Sequence, residues 1–217
     1  FIFFIVFFYF FFFFFPYFFR FLSYGFCGLF LLYLDSFFFF IGPGSFNIGV
    51  LVTEVPQGSS VSIENSHVEA RAICNTYTGG LIGLMYGSAY IEGSSFTGEL
   101  SGAIAAGGLV ATEIGSSKLT ITNSFSKGLH NLDPKSAYAP HVGGLIGYAS
   151  GTTTIEKSHS EFAIKKGGRS GGLIGYAVGK VNVTECYNTA PLKGEVGGGL
   201  IAQVEEYVHL FNSYNIG

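Results

Sequence analysis

The sequence predicts an all-β solenoid of about six coils, and three observations predict it. A Gly-Gly-Leu phrase recurs at near-constant spacing, a second phrase alternates apolar and polar residues at a fixed distance behind it, and no helical period runs through either. Composition divides the chain before any motif is read. Of its 25 Phe, 21 fall in Phe1–Phe46, and of its 32 Gly, 28 fall beyond that point. The domains are therefore 1–46, a Phe-rich hydrophobic leader, and 47–217, a repeat region long enough for one domain.

The first phrase reads Gly79-Gly80-Leu81-Ile82-Gly83, then Gly107-Gly108-Leu109-Val110-Ala111, Gly143-Gly144-Leu145-Ile146-Gly147, Gly171-Gly172-Leu173-Ile174-Gly175 and Gly198-Gly199-Leu200-Ile201-Ala202, with a degenerate first copy at Gly49-Val50-Leu51-Val52. Its Leu positions are separated by 30, 28, 36, 28 and 27 residues. The glycine pairs imply tight corners with positive φ and close backbone approach.

The second phrase centres on Ile63, Ile91, Ile121, Ile155, Val183 and Leu210. Two residues earlier stand Val61, Ala89, Leu119, Thr153, Val181 and Val208, and between them mostly polar Ser62, Tyr90, Thr120, Thr154, Asn182 and His209. That alternation is a strand with one buried face. Three residues past the centre come Ser66, Ser94, Ser124, Ser158, Cys186 and Ser213, a small residue where the chain turns inward. A unit of this length cannot bury its own apolar face, so the units must stack, each pairing its backbone with the next. At ~4.8 Å per layer the rod is roughly 25–30 Å long.

These residues resemble the GLUG-motif repeat, named for its Gly-Leu-apolar-Gly core. The match is carried by Ile121-Thr122-Asn123-Ser124-Phe125 and Gly143-Gly144-Leu145-Ile146-Gly147-Tyr148, with Gly171 to Tyr176 close behind; Val50, Ala111 and Ala202 depart from it. The resemblance covers about Gly49–Gly217. It implies a non-catalytic repeat scaffold of a surface or secreted protein, mediating adhesion or binding a protein or glycan ligand. The alternative is a structural spacer, or the accessory region of a larger secreted peptidase or polysaccharide-active enzyme.

The leader holds nineteen residues without charge, Phe1–Phe19, broken only by Pro16, then Arg20 and further apolar runs to Ile41. Such a run is long enough to cross a bilayer as a helix, which makes residues 1–41 a candidate membrane anchor or signal segment. Consecutive Phe is unusual in natural spans, and Phe, Leu, Ser, Tyr, Cys and Ile share T-rich codons, so a translated non-coding stretch is the competing reading. With Phe at position 1 and its one Met at 85, the chain reads as a fragment of a longer product or as a misplaced start. Localisation follows as membrane-anchored at the cell surface, or secreted.

Candidate sites are few. A net charge of −3 argues against nucleic acid as a partner. Cys27, Cys74 and Cys186 have neither disulfide nor zinc spacing; Cys74 and Cys186 fall about four coils apart, beyond bridging distance, and Cys186 reads as a buried stand-in for serine. His67 and His159 share a repeat position but are separated by ligand-free coils, so no metal is expected. Glu64, Glu92 and Glu156 share an outward column, yet no acid, base and substrate groove can be assembled around them. No cofactor is expected, and the chain reads as a non-enzyme. The 36-residue step holds an insertion within Ser126–His141, where His130, Asp133, Tyr138 and His141 form a candidate binding loop. Asn182-Val183-Thr184 is a glycosylation sequon on an outward strand face. Finally, alternation sends either the Leu column or its neighbour outward. In the second case Ile82, Val110, Ile146, Ile174 and Ile201, continued by Val52 and flanked by Leu84, Tyr148 and Tyr176, form an exposed stripe suited to lateral self-association, unless another strand covers it.

Overall fold

The computed structural model describes residues 31–32, 37–41, 47–131 and 140–217. The first coil shows the plan: β1 (Leu31–Leu32) and β2 (Phe37–Ile41) precede it, then β3 (Asn47–Gly49), β4 (Val52–Val55), β5 (Ser60–Glu64) and β6 (His67–Ile73) turn once around the axis. The same four strands recur to the sixth coil, which ends in β23 (Val196–Gly198), β24 (Ile201–Val204), β25 (Tyr207–Phe211) and β26 (Tyr214–Asn215). Equivalent strands pair in parallel, giving four sheets: sheet I from β3 to β23, sheet II from β4 to β24, sheet III through β5 to β25 and sheet IV through β6 to β26. The chain is an all-β solenoid, with no helix among the described residues.

The register places the predicted column as read: Ile63 against Ile91, Ile121, Ile155, Val183 and Leu210 in sheet III. The first five are wholly buried, whereas Leu210, with no coil stacked on it, is 47% exposed. They pack against Phe96 and Phe162 of sheet IV and the Leu and Ile columns at the sheet I–II corner, in one continuous core. A smaller cluster of Ala106, Val142 and Ile164, with Leu192 against it, fills the space behind sheet I.

Two corners carry the repeat. Between sheets III and IV, the residue before each small one takes a left-handed conformation: Asn65, Asn123, Lys157, Glu185 and Asn212 have φ between 47° and 55°, and Gly93 has 55°. The next side chain then points inward and forms a ladder. Ser66, Ser94 and Ser124 donate their amides to the hydroxyls of Ser94, Ser124 and Ser158, each at 3.1 Å, and each hydroxyl donates back to the carbonyl two residues earlier. Cys186 occupies the same rung, its thiol donating to the Thr184 carbonyl at 3.1 Å.

The corner between sheets I and II works by absence. A Cβ on Gly79 would stand 1.8 Å from the Ile82 carbonyl oxygen, and one on Gly80 2.0 Å from that of Gly108. Positive φ, expected at these glycine pairs, does not occur there; close approach alone requires them. The fold also corrects the exposed stripe. Ile82, Val110, Ile146 and Ile174 are wholly buried, and Ile201 is partly exposed only because it lies in the last coil. The reason is that the Leu is not in a strand. It sits at the corner, and the amides of both Leu81 and Ile82 donate to the Leu109 carbonyl, at 2.8 and 2.9 Å. The chain bends between the two residues, so both columns enter the core and alternation does not apply.

Two described segments of the leader join the stack. β1 pairs with β5, Leu31 opposite Ser62, and β2 pairs with β6, Phe37 opposite Val68. The boundary at residue 46 is thus a change of composition that two sheets cross. No helix among the described residues is long and apolar enough to span a membrane; the Phe1–Phe19 run lies outside them.

Candidate functional site

The insertion falls between β14 (Phe125–His130) and β15 (His141–Gly143), at the sheet IV–I corner. Asp133 and Tyr138 lie outside the described residues. His130 is corrected from loop to core. It continues β14 opposite Leu100 and Ile164 and is wholly buried, because the inward face of sheet IV runs on to that residue. Its Nδ1 lies 3.1 Å from the Lys166 carbonyl, and burial pushes its pKa down to about 4, so the ring is neutral.

His141 is at the surface and has company. In register with it stands Arg169, which opens β19 (Arg169–Gly171), and on the neighbouring sheet Tyr148 of β16 (Ile146–Ala149) pairs with Tyr176 of β20 (Ile174–Ala177). The I–II corner folds the two sheets together, so these four half-buried side chains meet outside the core. The His141 ring lies 5.1 Å from Tyr176 and 5.9 Å from Tyr148, and the two tyrosines are 5.6 Å apart, edge to face. The Arg169 guanidinium carbon stands 4.5 Å over the Tyr176 ring. Arg169 Nε donates to the Gln203 side-chain oxygen, and the Tyr176 hydroxyl donates to the Glu205 carboxylate. Burial first, and the Arg169 charge second, push the His141 pKa down to about 4; its Nδ1 is buried without a partner.

Arg169, Gln203 and Glu205 carried no signal in the sequence. Reading the residue two before each Gly-Gly pair as an outward column would have raised Asn47, Tyr77, Ala105, His141, Arg169 and Val196 together.

A second aromatic feature runs along the start of sheet IV. Phe125, His159, Tyr187 and Tyr214 stack face to face at 5.1, 4.6 and 5.4 Å, tilted by only 7–8°. The ring faces are occupied by one another, which leaves edges for solvent, so the ladder fastens coils rather than offering a platform. His67 and His159 belong to this column; His67 Nδ1 meets the Ser95 hydroxyl at 2.8 Å.

Two further features bear on chemistry. Glu113, at the end of β12 (Val110–Glu113), is wholly buried in a column whose other members are Val55, Met85, Ala149, Ala177 and Val204. Thr153 donates to one carboxylate oxygen, the other lacks a well-formed bond, and burial raises the pKa to about 7. Cys74 and Cys186 are free and buried, and desolvation pushes both thiols up, away from the reactive thiolate. Asn182 is exposed in mid-strand on sheet III, between Thr154 and His209, so the sequon faces outward as read. No group of three or more His, Cys, Asp or Glu side chains among the described residues could hold a metal ion.

The chain matches no protein-family model, no curated protein and no solved structure.

Proposed function

We propose that this chain is a non-catalytic repeat scaffold of a surface or secreted protein, binding a ligand on the outer side of its sheet I–II corner. The observation that carries this reading is the meeting of His141, Tyr148, Arg169 and Tyr176 outside the core. Three rings and a guanidinium, drawn from two coils, are held by strands that each pair in parallel on both sides. That is a preorganised surface, and preorganisation is what lets a small patch bind without first ordering itself. The resemblance to GLUG repeats supports a place on an extracellular protein.

The test is binding of the full chain, kept in mild detergent, to a mixed array of immobilised glycans and extracellular-matrix proteins. The Tyr148→Ala, Tyr176→Ala double variant should lose the signal while its melting temperature stays within a few degrees of the parent. Retained binding by the variant moves the site elsewhere, and silence across the array removes the binding role.

A further inference from the structure

We propose that the ligand of this site is an acidic saccharide, a sugar carrying a carboxylate that the Arg169 fork grips while its ring lies against the tyrosines. The proposal rests on the binding role above and adds the chemistry of what is bound.

The argument starts from Arg169. Its Nε is engaged by Gln203 and its flat face rests on Tyr176, which together fix the plane of the guanidinium. No acidic side chain pairs with it among the described residues. Arg169 is half-buried, and a guanidinium held in one plane offers two parallel N–H donors on its terminal nitrogens. A planar carboxylate accepts both at once, which a lysine cannot reproduce. Around it, Lys165 and Lys166 lead into the same strand, and Lys193 follows one coil on, all three exposed. Their charges favour an anion over a neutral ligand.

The rest of the patch selects what carries the anion. Tyr148, Tyr176 and His141 form an amphipathic wall, suited to the C–H face of a pyranose. Beside the wall stands an acceptor, the Glu205 carboxylate beyond the hydroxyl end of Tyr176. An acceptor next to an aromatic wall suits a ligand with many hydroxyl donors. An acidic peptide has the carboxylates but few hydroxyls. The sugar uses both halves of the surface.

The experiment titrates the full chain in mild detergent with three probes: a tetramer of galacturonic acid, the same tetramer with its carboxylates reduced to alcohols, and a tetra-glutamate peptide. The uronate tetramer should bind at least tenfold more tightly than either of the others. Arg169→Gln should weaken it at least tenfold, Arg169→Lys should restore little of that loss, and added salt should weaken the parent more than Arg169→Gln. Equal affinity for the reduced tetramer, preference for the peptide, or full rescue by Arg169→Lys overturns the proposal. In those cases, a loss of binding in Tyr176→Leu keeps the binding role and removes only its chemistry. No binding of any probe, together with a silent array, removes both.

Discussion

Two of the four corners of each coil turn the chain by opposite means. At the sheet III–IV corner the turn is made of side chains: a left-handed Asn, then a serine whose hydroxyl both accepts from the coil above and donates to its own strand. At the sheet I–II corner it is made of their absence, with backbone atoms standing where a Cβ would be. The first is a set of bonds, each of which can be weakened singly. The second is a contact distance, and at the first glycine of each pair the obstructing atoms are backbone, which no side chain can relax. A column of hydrogen bonds should therefore tolerate substitution by degrees, and a column of glycines should not.

Gly143→Ala tests the harder corner. Its Cβ would stand 1.8 Å from the Ile146 carbonyl oxygen, so the bend must open and pull Leu145 and Ile146 from the core. The expected loss is above ~4 kcal/mol, or failure to fold, read by chemical denaturation. A loss of ~1 kcal/mol would show that the corner can flex.

Glu113 gives the next effect, at the turn from sheet II to sheet III. The folded protein holds this carboxyl's proton up to about pH 7, whereas an unburied glutamate releases it near 4.5. The stabilisation is thus complete below pH 4.5 and is lost as pH rises through 7, by roughly 3 kcal/mol at most. His130 and His141, held neutral in the fold, add an opposite slope below about pH 6.5 to parent and variant alike. The denaturant midpoint of the parent minus that of Glu113→Gln is therefore the quantity that should fall from pH 4.5 to pH 8. Met85 and Ala149 flank Glu113, and Thr153, Ser117 and Gly151 surround its head, so the substitution removes this one titration and leaves the others in place.

Ser124→Ala tests the softer corner. It leaves the buried Ser94 amide without an acceptor, at about 1–3 kcal/mol. A loss matching that of Gly143→Ala would abolish the distinction drawn between the corners. The smallest effect belongs to Cys186→Ser, which completes the hydroxyl column. Sulfur is the weaker partner, so a gain of up to about 1 kcal/mol in the same denaturation assay is expected, and a loss would mean the rung is shaped for sulfur.

What the sequence made legible follows the same physics. The Ile63-to-Leu210 column was readable because inside a strand the side-chain period is two, and the register bears it out residue by residue. Alternation misled at Leu81-Ile82, because a bend falls between them and both turn inward. The Asn-Ser pair was visible as letters, but its meaning needs one coil laid on the next. His141 was singled out for lying near an insertion, and its real partners, Arg169 and Tyr176, come from the following coil. A column rule would have set His141 beside Arg169, but the meeting with Tyr148 and Tyr176 joins two sheets across a corner, which no single column describes. The leader's two strands were hidden because a run of Phe has no period to read.

The long step deserves a last consequence. Thirty-six residues separate Ala105 from His141 where other coils take about twenty-eight, yet the two pair in register. On either side the anchors are backbone bonds: Asn131 donates to Leu100 at 3.0 Å and His141 to Ile104 at 2.9 Å. The coil therefore closes on these bonds without regard to how much chain passes between them. That makes the sheet IV–I corner a docking port in the genetic sense, a place where segments can be spliced in, lengthened or exchanged between coils while the lattice keeps count by hydrogen bonds and not by residues. The same corner leads into His141, so variation there would change what stands beside that residue while the scaffold stays as it is.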